Sequence, residues 1–308
     1  MEHWYVICNP VSGRRSGHSN RRRLEHGLRA VGIAHEIALT EYPEHACELA
    51  RAACRNGWRR IAIAGGDGTA HQVVNGILGS GIGDLAQMML GVLPLGTGND
   101  WARTLGVPAD VDSACRILGA GQAVLHDVGE VALRIDGQAK TRHFINMAGA
   151  GFDAHVVRLV QTRGDRHWRY ITGLLQGAHN FQAPELTISA AGFRHEGPTL
   201  VAFLNIGRYL GGGMRVAPQA QFDDGLFELT VVRSMRLPRL LANLPRLALG
   251  NLAGSHLVSV ARAASVSIEG DTLIEADGEL LGRTPANFRI IARAMRVVVP
   301  RPDKHAQF

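Results

Sequence analysis

The sequence predicts an α/β protein of two domains, a parallel α/β domain followed by a mainly antiparallel, β-rich domain. Three observations predict this. The chain has 308 residues, enough for two domains at roughly 150 residues each. Up to Leu105, short apolar runs alternate four times with amphipathic segments, as in parallel α/β sheets. After residue 124, glycine-broken strand patterns replace the helical periodicity.

Each element of the first domain has its own local signal. Four short apolar runs predict strands, and the segments after them carry apolar residues at helical spacing. The predicted strands are 4–8, 34–39, 60–64 and 88–93, and the predicted helices are 17–31, 44–57, 71–78 and one from 101. Ligands of such sheets bind beyond the carboxyl ends of the strands. We therefore expect Asn9, Thr40, Gly65 and Gly96 to lie at one edge.

The second domain is predicted from strand patterns separated by turn residues. They lie at 128–135, 142–146, 185–190, 199–207, 226–232, 266–268 and 273–275. The boundary is placed near Val124–Asp127. The strand-like segment 295–300 is expected to pack near the first domain. The predicted domains are thus 1–124 with 295–308, and 125–294.

Charge and cysteine usage limit the classes of function. With 33 Lys+Arg and 27 Asp+Glu, the net charge of +6 suits phosphate-bearing ligands or an anionic membrane surface. The lysines are only Lys140 and Lys304, so mechanisms that need a phosphate-binding lysine are disfavoured. Four cysteines without a C-x-x-C pair or secretory signal predict free thiols in a reducing, cytoplasmic compartment. No apolar run reaches about 18 residues, so we expect contact with lipid from the water side.

Two glycine-rich loops follow successive predicted strands. The first, Gly65-Gly66-Asp67-Gly68-Thr69, stands between a strand and a helix, where backbone N–H groups and the helix dipole bind phosphate. The second is Pro94-Leu-Gly-Thr-Gly-Asn-Asp100. The alternatives are a tight turn without a ligand for the first loop and a helix cap for the second. Neither loop is a Walker A motif, because the Gly-Lys-Ser/Thr ending is absent.

These motifs resemble those of a known family. Asn9-Pro-Val-Ser-Gly13, GGDGT and PLGTGND look like the signatures of the diacylglycerol kinase catalytic domain superfamily, in order and spacing over nearly the whole chain. GGDGT alone is shared with NAD kinases and phosphofructokinases, so PLGTGND is the more specific part. The resemblance implies a kinase that uses ATP and Mg²⁺, with its active site between two domains. It also implies an ATP site lined by Asn9, Ser12, Gly13, Thr40, Gly65, Gly66, Asp67, Gly68, Thr69, Gly96, Thr97 and Asn99.

The catalytic candidates are two carboxylates of the second domain. In Glu275-Ala-Asp277-Gly278-Glu279, an extended backbone would direct Asp277 and Glu279 to one face. The alternative is a hairpin, because Asp-Gly between apolar strands is a strong turn signal. The resemblance makes this D-G-E the family's catalytic motif, and either carboxylate is then the candidate general base.

A structural Mg²⁺ site is also implied by the resemblance. In the bacterial members an aspartate and two backbone carbonyls hold the ion. Carried over, these ligands are the Asp224 side chain and the carbonyls of Gln221 and Leu226, an all-oxygen set that suits Mg²⁺. The alternative is an Asp-Gly turn leading into the next strand.

Several weaker signals bear on partners. Residues 236–252 have leucines at helical spacing beside arginines, which suits an amphipathic helix on a membrane, although a core-facing helix explains them as well. Residues 163–170 mix arginine with aromatics and fit headgroup contact or an exposed loop. No zinc-binding spacing or nucleic-acid-binding module is recognised, so neither partner is expected. The sequence does not decide the oligomeric state, and a homodimer stays open.

The sequence therefore predicts a cytoplasmic, peripherally membrane-associated ATP-dependent lipid kinase. Two alternatives remain open: a kinase of a soluble substrate of the NAD kinase type, and a nucleotide-sensing protein without catalysis. The first leaves PLGTGND unexplained, and the intact D-G-E argues against the second.

Overall fold

The computed structural model describes residues 3–13, 17–135, 137–161, 181–234 and 257–302. The protein is a mixed α/β structure with a β-rich C-terminal region. It divides into two compact units, unit 1 with Met1–Asp127 and Arg293–Phe308, and unit 2 with Val128–Ala292. The sequence-based boundaries at 124 and 294 lie a few residues from these divisions.

Unit 1 alternates strands and helices. Its strands are β1 (His3–Cys8), β2 (Ala34–Leu39), β3 (Arg60–Gly65) and β4 (Met89–Pro94). Its helices are α1 (Gly17–Ala30), α2 (His45–Arg55), α3 (Asp67–Leu78), α4 (Asp100–Thr104) and α5 (Val111–Ala120). Helix α3 begins four residues earlier than expected, inside the glycine loop. Helix α5 was not predicted, and its start is capped by the Asp110 carboxylate, which accepts a hydrogen bond of 2.8 Å from the Ser113 N–H.

The strands of unit 1 pair in parallel. β1 lies between β2 and β3, and β3 pairs with β4. The register aligns the carboxyl ends, since Cys8 lies beside Leu39 and Ala64, and Gly65 lies beside Pro94. Returning from unit 2, the chain pairs Arg296 in parallel with Met89. Because helices cover such sheets on both faces, these strands read as continuous apolar runs.

Unit 2 consists mainly of antiparallel strands. Its elements are β5 (Gln122–Ile135), β6 (Gln138–Phe144), β7 (Met147–Gly151), α6 (Phe152–Gln161), β8 (Glu185–Ala190), β9 (Phe193–Asn205), β10 (Phe227–Arg233), β11 (Val258–Ala263), β12 (Ser265–Gly270), β13 (Leu273–Ala276) and β14 (Glu279–Val299). Strand β5 begins in unit 1, and β14 ends there. The N-terminal part of β9 pairs with β8, and the remainder pairs with β7 and β10.

Strands β5 to β14 all contribute side chains to a large apolar core in unit 2. Three aromatic side chains lie within it, with the Phe144 ring 5.7 Å from that of Phe227 and 6.4 Å from that of Phe288. Each is at most 2% exposed, and burying such a side chain stabilises the fold by about 1.5–3 kcal/mol. Unit 2 thus has its own core, which supports the β13–β14 hairpin.

The predictions about cysteines and membrane contact have different outcomes. The four cysteines are free thiols, as expected, and burial raises the pKa of Cys8 to about 11. Among the described residues, no helix combines the length and apolar character needed to cross a bilayer. The segments 163–170 and 236–252, predicted as candidates for lipid contact, lie outside the described residues.

Candidate functional site

Three loops of unit 1 meet beyond the carboxyl ends of β1, β3 and β4. Asn9 links the first to the second, because its backbone N–H donates to the Ala64 carbonyl at 2.9 Å and its side-chain amide donates to Thr69 Oγ1 at 3.2 Å. The third loop joins them through the N–H groups of Leu95 and Gly96, which donate to the Gly65 carbonyl at 2.9 and 3.2 Å. The structure therefore brings together the three motifs singled out in the sequence.

Glycine is required where these loops touch. A Cβ on Gly96 would lie 2.6 Å from the Cα of Gly66, and a Cβ on Gly13 would lie 2.1 Å from the Leu95 carbonyl oxygen. Gly13 also has a φ of 78°, a backbone angle that residues other than glycine rarely adopt. The backbones of the three loops therefore lie in van der Waals contact, with no room for side chains between them.

The N-terminus of α3 has the features of an anion site. Gly66 precedes its first turn in an extended conformation and, being a glycine, has no side chain that could cap the helix. Amide N–H groups at such an end carry partial positive charge and bind phosphate oxygens. Gly68 and Thr69 lie in this first turn. The loop thus offers backbone donors rather than a lysine.

Asp67 lies in the same turn, but its carboxylate is directed to another helix. Its two oxygens accept hydrogen bonds from the N–H groups of Asp100, at 3.1 Å, and Trp101, at 3.0 Å. Those are the first two residues of α4. The carboxylate therefore caps α4 and joins the second and third loops, a role that the spacing of the motifs did not reveal.

The other predicted nucleotide-binding residues surround these loops. Asn99 adopts a left-handed φ of 52° and donates to the Gly96 carbonyl at 2.7 Å, while no donor among the described residues reaches its buried Oδ1. Ser12 is buried next to Asn9, and Thr97 is exposed. Thr40 follows β2, with its N–H bound to the Cys8 carbonyl at 2.9 Å. The backbone N–H groups of these loops fit a phosphate-bearing ligand, whereas Oδ1 of Asn99, an acceptor, would need a donor such as a hydroxyl group rather than a phosphate oxygen.

The D-G-E motif of unit 2 forms the hairpin turn between β13 and β14. Ala276 pairs with Glu279, and the two turn residues have positive φ, 50° for Asp277 and 84° for Gly278. These angles are typical of a type I′ turn. The expectation of an extended backbone through Asp277 is therefore wrong, because a two-residue turn reverses the chain there. The hairpin and the motif prove to be the same feature.

The two carboxylates of the motif have different surroundings. Asp277 is 8% exposed and accepts backbone hydrogen bonds from Ile145, Asn146 and Met147 at 3.0, 3.0 and 3.1 Å. Its side chain thus holds the β6–β7 connection against the turn. Glu279, the first residue of β14, is half-buried. The turn directs one carboxylate into the protein and leaves the other partly accessible to solvent.

Two further carboxyl groups lie behind this turn. Glu275 is 1% exposed and accepts a hydrogen bond of 2.9 Å from the Gly278 N–H. Asp153, in the first turn of α6, is 5% exposed. Burial raises the pKa of Glu275 well above its ordinary value, and the neighbouring Asp153 carboxyl raises it further. Sequence reasoning singled out only the D-G-E part of this segment and missed Asp153, because a separation of 122 residues along the chain hides the proximity of Asp153 to Glu275.

The Asp224 carboxylate, which was expected to bind magnesium, is engaged by other groups of the protein. One oxygen of Asp224 accepts a hydrogen bond of 2.9 Å from the Leu226 N–H, and the other forms an ion pair with Arg262. The positively charged guanidinium group repels a cation such as Mg²⁺, and it occupies acceptor positions on the carboxylate. The site of one carboxylate and two backbone carbonyls expected at Gln221, Asp224 and Leu226 stays a prediction, and Mg²⁺ could bind there only if Arg262 moved away from Asp224.

The amino-acid sequence of the chain matches two family models, one after the other along the chain. Residues 3–131 match the diacylglycerol kinase catalytic domain, and residues 146–299 match the YegS C-terminal NAD kinase beta sandwich-like domain. Among similar proteins, a diacylglycerol kinase of Bacillus subtilis is 28% identical over 98% of this chain and 97% of its own length. One of Staphylococcus aureus is 29% identical over 96% of this chain and 91% of its own.

Solved structures share the fold. A diacylglycerol kinase from Bacillus anthracis aligns with a TM-score of 0.74 at 22% identity, covering 97% of each chain. Yeast NADH kinase in complex with NADH aligns with a TM-score of 0.52 at 11% identity, over 99% of this chain and 84% of its own. At these identities the likeness concerns the fold alone.

Proposed function

We propose that this chain, which belongs to the diacylglycerol kinase catalytic domain superfamily, transfers the γ-phosphate of ATP to a hydroxyl group of a lipid such as diacylglycerol. The family membership supports a kinase, and the observation that carries the proposal is the contact between the three glycine loops of unit 1. We assign unit 1 to nucleotide binding and unit 2 to the lipid. The expected location of the active site between the two domains stays part of this proposal.

The nucleotide phosphates are assigned to the loops around Gly66 and Gly96. Phosphoryl transfer needs positioning and neutralisation of charge more than covalent chemistry. Backbone N–H groups at the start of α3 supply fixed donors, and the missing side chains of the glycines let phosphate oxygens approach. Mg²⁺ bound with ATP would add neutralising charge at the phosphates.

The general base is assigned to Glu279. Asp277 has both oxygens engaged by backbone N–H groups and is almost fully buried, which makes it an anchor of the turn. Glu279 is the more accessible carboxylate of the motif. A carboxylate that removes the proton from the lipid hydroxyl must reach that hydroxyl within hydrogen-bond distance. The pair thus divides into a structural aspartate and a catalytic glutamate.

The experiment that tests the function is transfer of radiolabelled γ-phosphate from Mg²⁺–ATP to a total lipid extract. We expect label in the organic phase, and chromatography of the labelled product would identify the lipid. Binding of ATP without any transfer would contradict the proposal and favour a nucleotide sensor. The matched control is Glu279→Gln, which keeps the shape of the side chain and removes the proton acceptor.

A second candidate is a kinase that phosphorylates a soluble nucleotide. It is favoured by the β-sandwich match over 146–299 and by the shared fold of yeast NADH kinase. Adding NAD and NADH to the same assay separates the candidates. Label that stays in the aqueous phase on a dinucleotide, with none in the lipids, would replace the lipid kinase by this second function.

A further inference from the structure

Behind the D-G-E turn lies a pair of buried carboxyl groups that the proposed chemistry does not use. One oxygen of Glu275, Oε2, accepts a hydrogen bond from the Gly278 N–H. No donor among the described residues reaches its other oxygen, Oε1. A Cβ built on Gly149 would lie 2.8 Å from this Oε1 and 2.6 Å from Oδ2 of Asp153. Both oxygens therefore occupy the same small space above the Gly149 backbone.

Both carboxyl groups are almost excluded from water, because Glu275 is 1% and Asp153 5% exposed. On α6, Asp153 lies between Phe152 and Val156, which belong to a cluster of buried apolar side chains with Met147, Leu200, Val201, Phe203 and Val232. Two negative charges at such close range, away from water, would repel strongly. One proton placed between the oxygens removes this repulsion and turns the contact into a hydrogen bond.

We infer that Glu275 and Asp153 share one proton and that the neutral Glu275 carboxyl positions the D-G-E turn by accepting the Gly278 N–H. The proton belongs mainly to Glu275. Asp153 lies in the first turn of α6, where the helix dipole favours a negative charge. Glu275 then donates through Oε1 to Asp153 and accepts through Oε2 from Gly278. Gly278 directly precedes Glu279, so a bond that fixes Gly278 also positions the proposed general base. The inference therefore rests on the proposed function, and Glu275 acts as a positioning residue.

The charged groups around the pair agree with this arrangement. Asp277, on the same hairpin, also raises the pKa of Glu275 through its negative charge. Strand β7 contributes no titratable side chain. Helix α6 also carries His155 and Arg158, which hydrogen-bond to each other, and the part of β14 that pairs with β13 carries Glu279 and Arg283, of which Arg283 pairs with Asp271. Strand β9, which contacts α6 and β7, carries Arg194 and Glu196, which pair with each other, and His195, which hydrogen-bonds to Thr199.

The kinetic test compares Glu275→Gln with Glu275→Ala in lipid phosphorylation from Mg²⁺–ATP. Glutamine reproduces the protonated carboxyl, with an amide that donates to Asp153 and an oxygen that accepts from Gly278, so most of the wild-type kcat should remain. Alanine removes both contacts and should lower kcat about 10-fold or more with little change in the KM for ATP. Equal loss in both variants would overturn the inference, because it would mean that the charge is needed.

A second readout does not depend on activity. Infrared difference spectra of wild type against Glu275→Gln should show a protonated carboxyl stretch at neutral pH that is lost in the variant. Glu269→Gln, which changes an exposed carboxylate of the same unit, should lose none. Absence of the band in wild type would overturn the shared proton whether or not lipid is phosphorylated. A present band without lipid phosphorylation in any variant would refute only the proposed function.

The pH dependence of stability provides an independent check. A carboxyl whose pKa is raised on folding stabilises the native state fully below its ordinary pKa, and that stabilisation is lost as the pH rises through the raised value. Glu275→Gln does not titrate. Its melting temperature relative to wild type should therefore increase from about pH 5 to about pH 8. A constant difference across this range would contradict the assignment.

Discussion

At the scale of single residues, the different roles proposed for Asp277 and Glu279 in the D-G-E turn can be tested by substitution. Glu279→Gln should lower kcat by about 10²-fold or more, because general-base catalysis contributes at least that much. Asp277→Asn should lower stability by about 1–3 kcal/mol, because its amide would direct an N–H group at backbone donors. Kinetics and urea unfolding of both variants measure this. A fully active Glu279→Gln enzyme would exclude Glu279 as the base.

The contact between Gly66 and Gly96 is a second residue-scale feature. Gly96→Ala places a methyl group 2.6 Å from the Gly66 Cα, so one loop must move. We expect ATP affinity, measured by calorimetry, to fall about 10-fold or more, because a small displacement of the donors weakens several phosphate contacts together. Gly83→Ala is the matched control, since a Cβ there meets nothing within 4 Å. Unchanged ATP affinity for Gly96→Ala would refute the assignment of the cradle.

The Asp224–Arg262 ion pair stands where the resemblance had implied a metal ion. If the guanidinium excludes the cation, the melting temperature of the wild type should not depend on Mg²⁺ in the absence of ATP. Arg262→Gln should acquire a melting temperature that rises with Mg²⁺ concentration, because a ligand that binds only the folded state stabilises it. Arg194→Gln, which breaks an exposed pair with Glu196, serves as the control. An equal Mg²⁺ effect in wild type would show that the ion displaces Arg262.

At the scale of elements, Asp67 joins α3 to α4. A carboxylate that accepts from both Asp100 and Trp101 fixes the direction in which α4 leaves the third loop. Asp67→Asn should destabilise the protein by about 1 kcal/mol, because an amide can accept only one of these bonds well. Urea unfolding measures the change, with the exposed Asp112→Asn as control. A stability equal to wild type would show that the cap is not energetically important.

At the scale of the whole molecule, the net charge of +6 and the proposed lipid substrate together imply reversible association with anionic membranes. We expect the protein to sediment with vesicles that contain an anionic phospholipid and to be released as salt is raised, because ions screen the attraction beyond about 10 Å at 0.1 M. Vesicles of zwitterionic lipid alone are the control. Binding that is equal for both vesicles and insensitive to salt would contradict an electrostatic contribution.

The sequence by itself determined the order of β1 to β4 and of α1 to α4 in unit 1, but not α5, and it determined the residues of the three loops. It did so because those features depend on local signals: apolar runs of strand length, glycines at strand ends and helical periodicity. It also indicated the turn at Asp277-Gly278, since positive φ values have a strong residue preference.

Only the tertiary structure decided which side chains act together. Asp67 lies 33 residues from the α4 amide that it caps, and Asp277 lies about 130 residues from the amides that surround it. The pairing of Glu275 with Asp153 depends on how α6 packs against β13, and the Arg262 that meets Asp224 comes from a separate strand. Hydrogen bonds and charge interactions act over a few ångströms regardless of sequence separation, so the fold alone assigned these carboxylates their different roles.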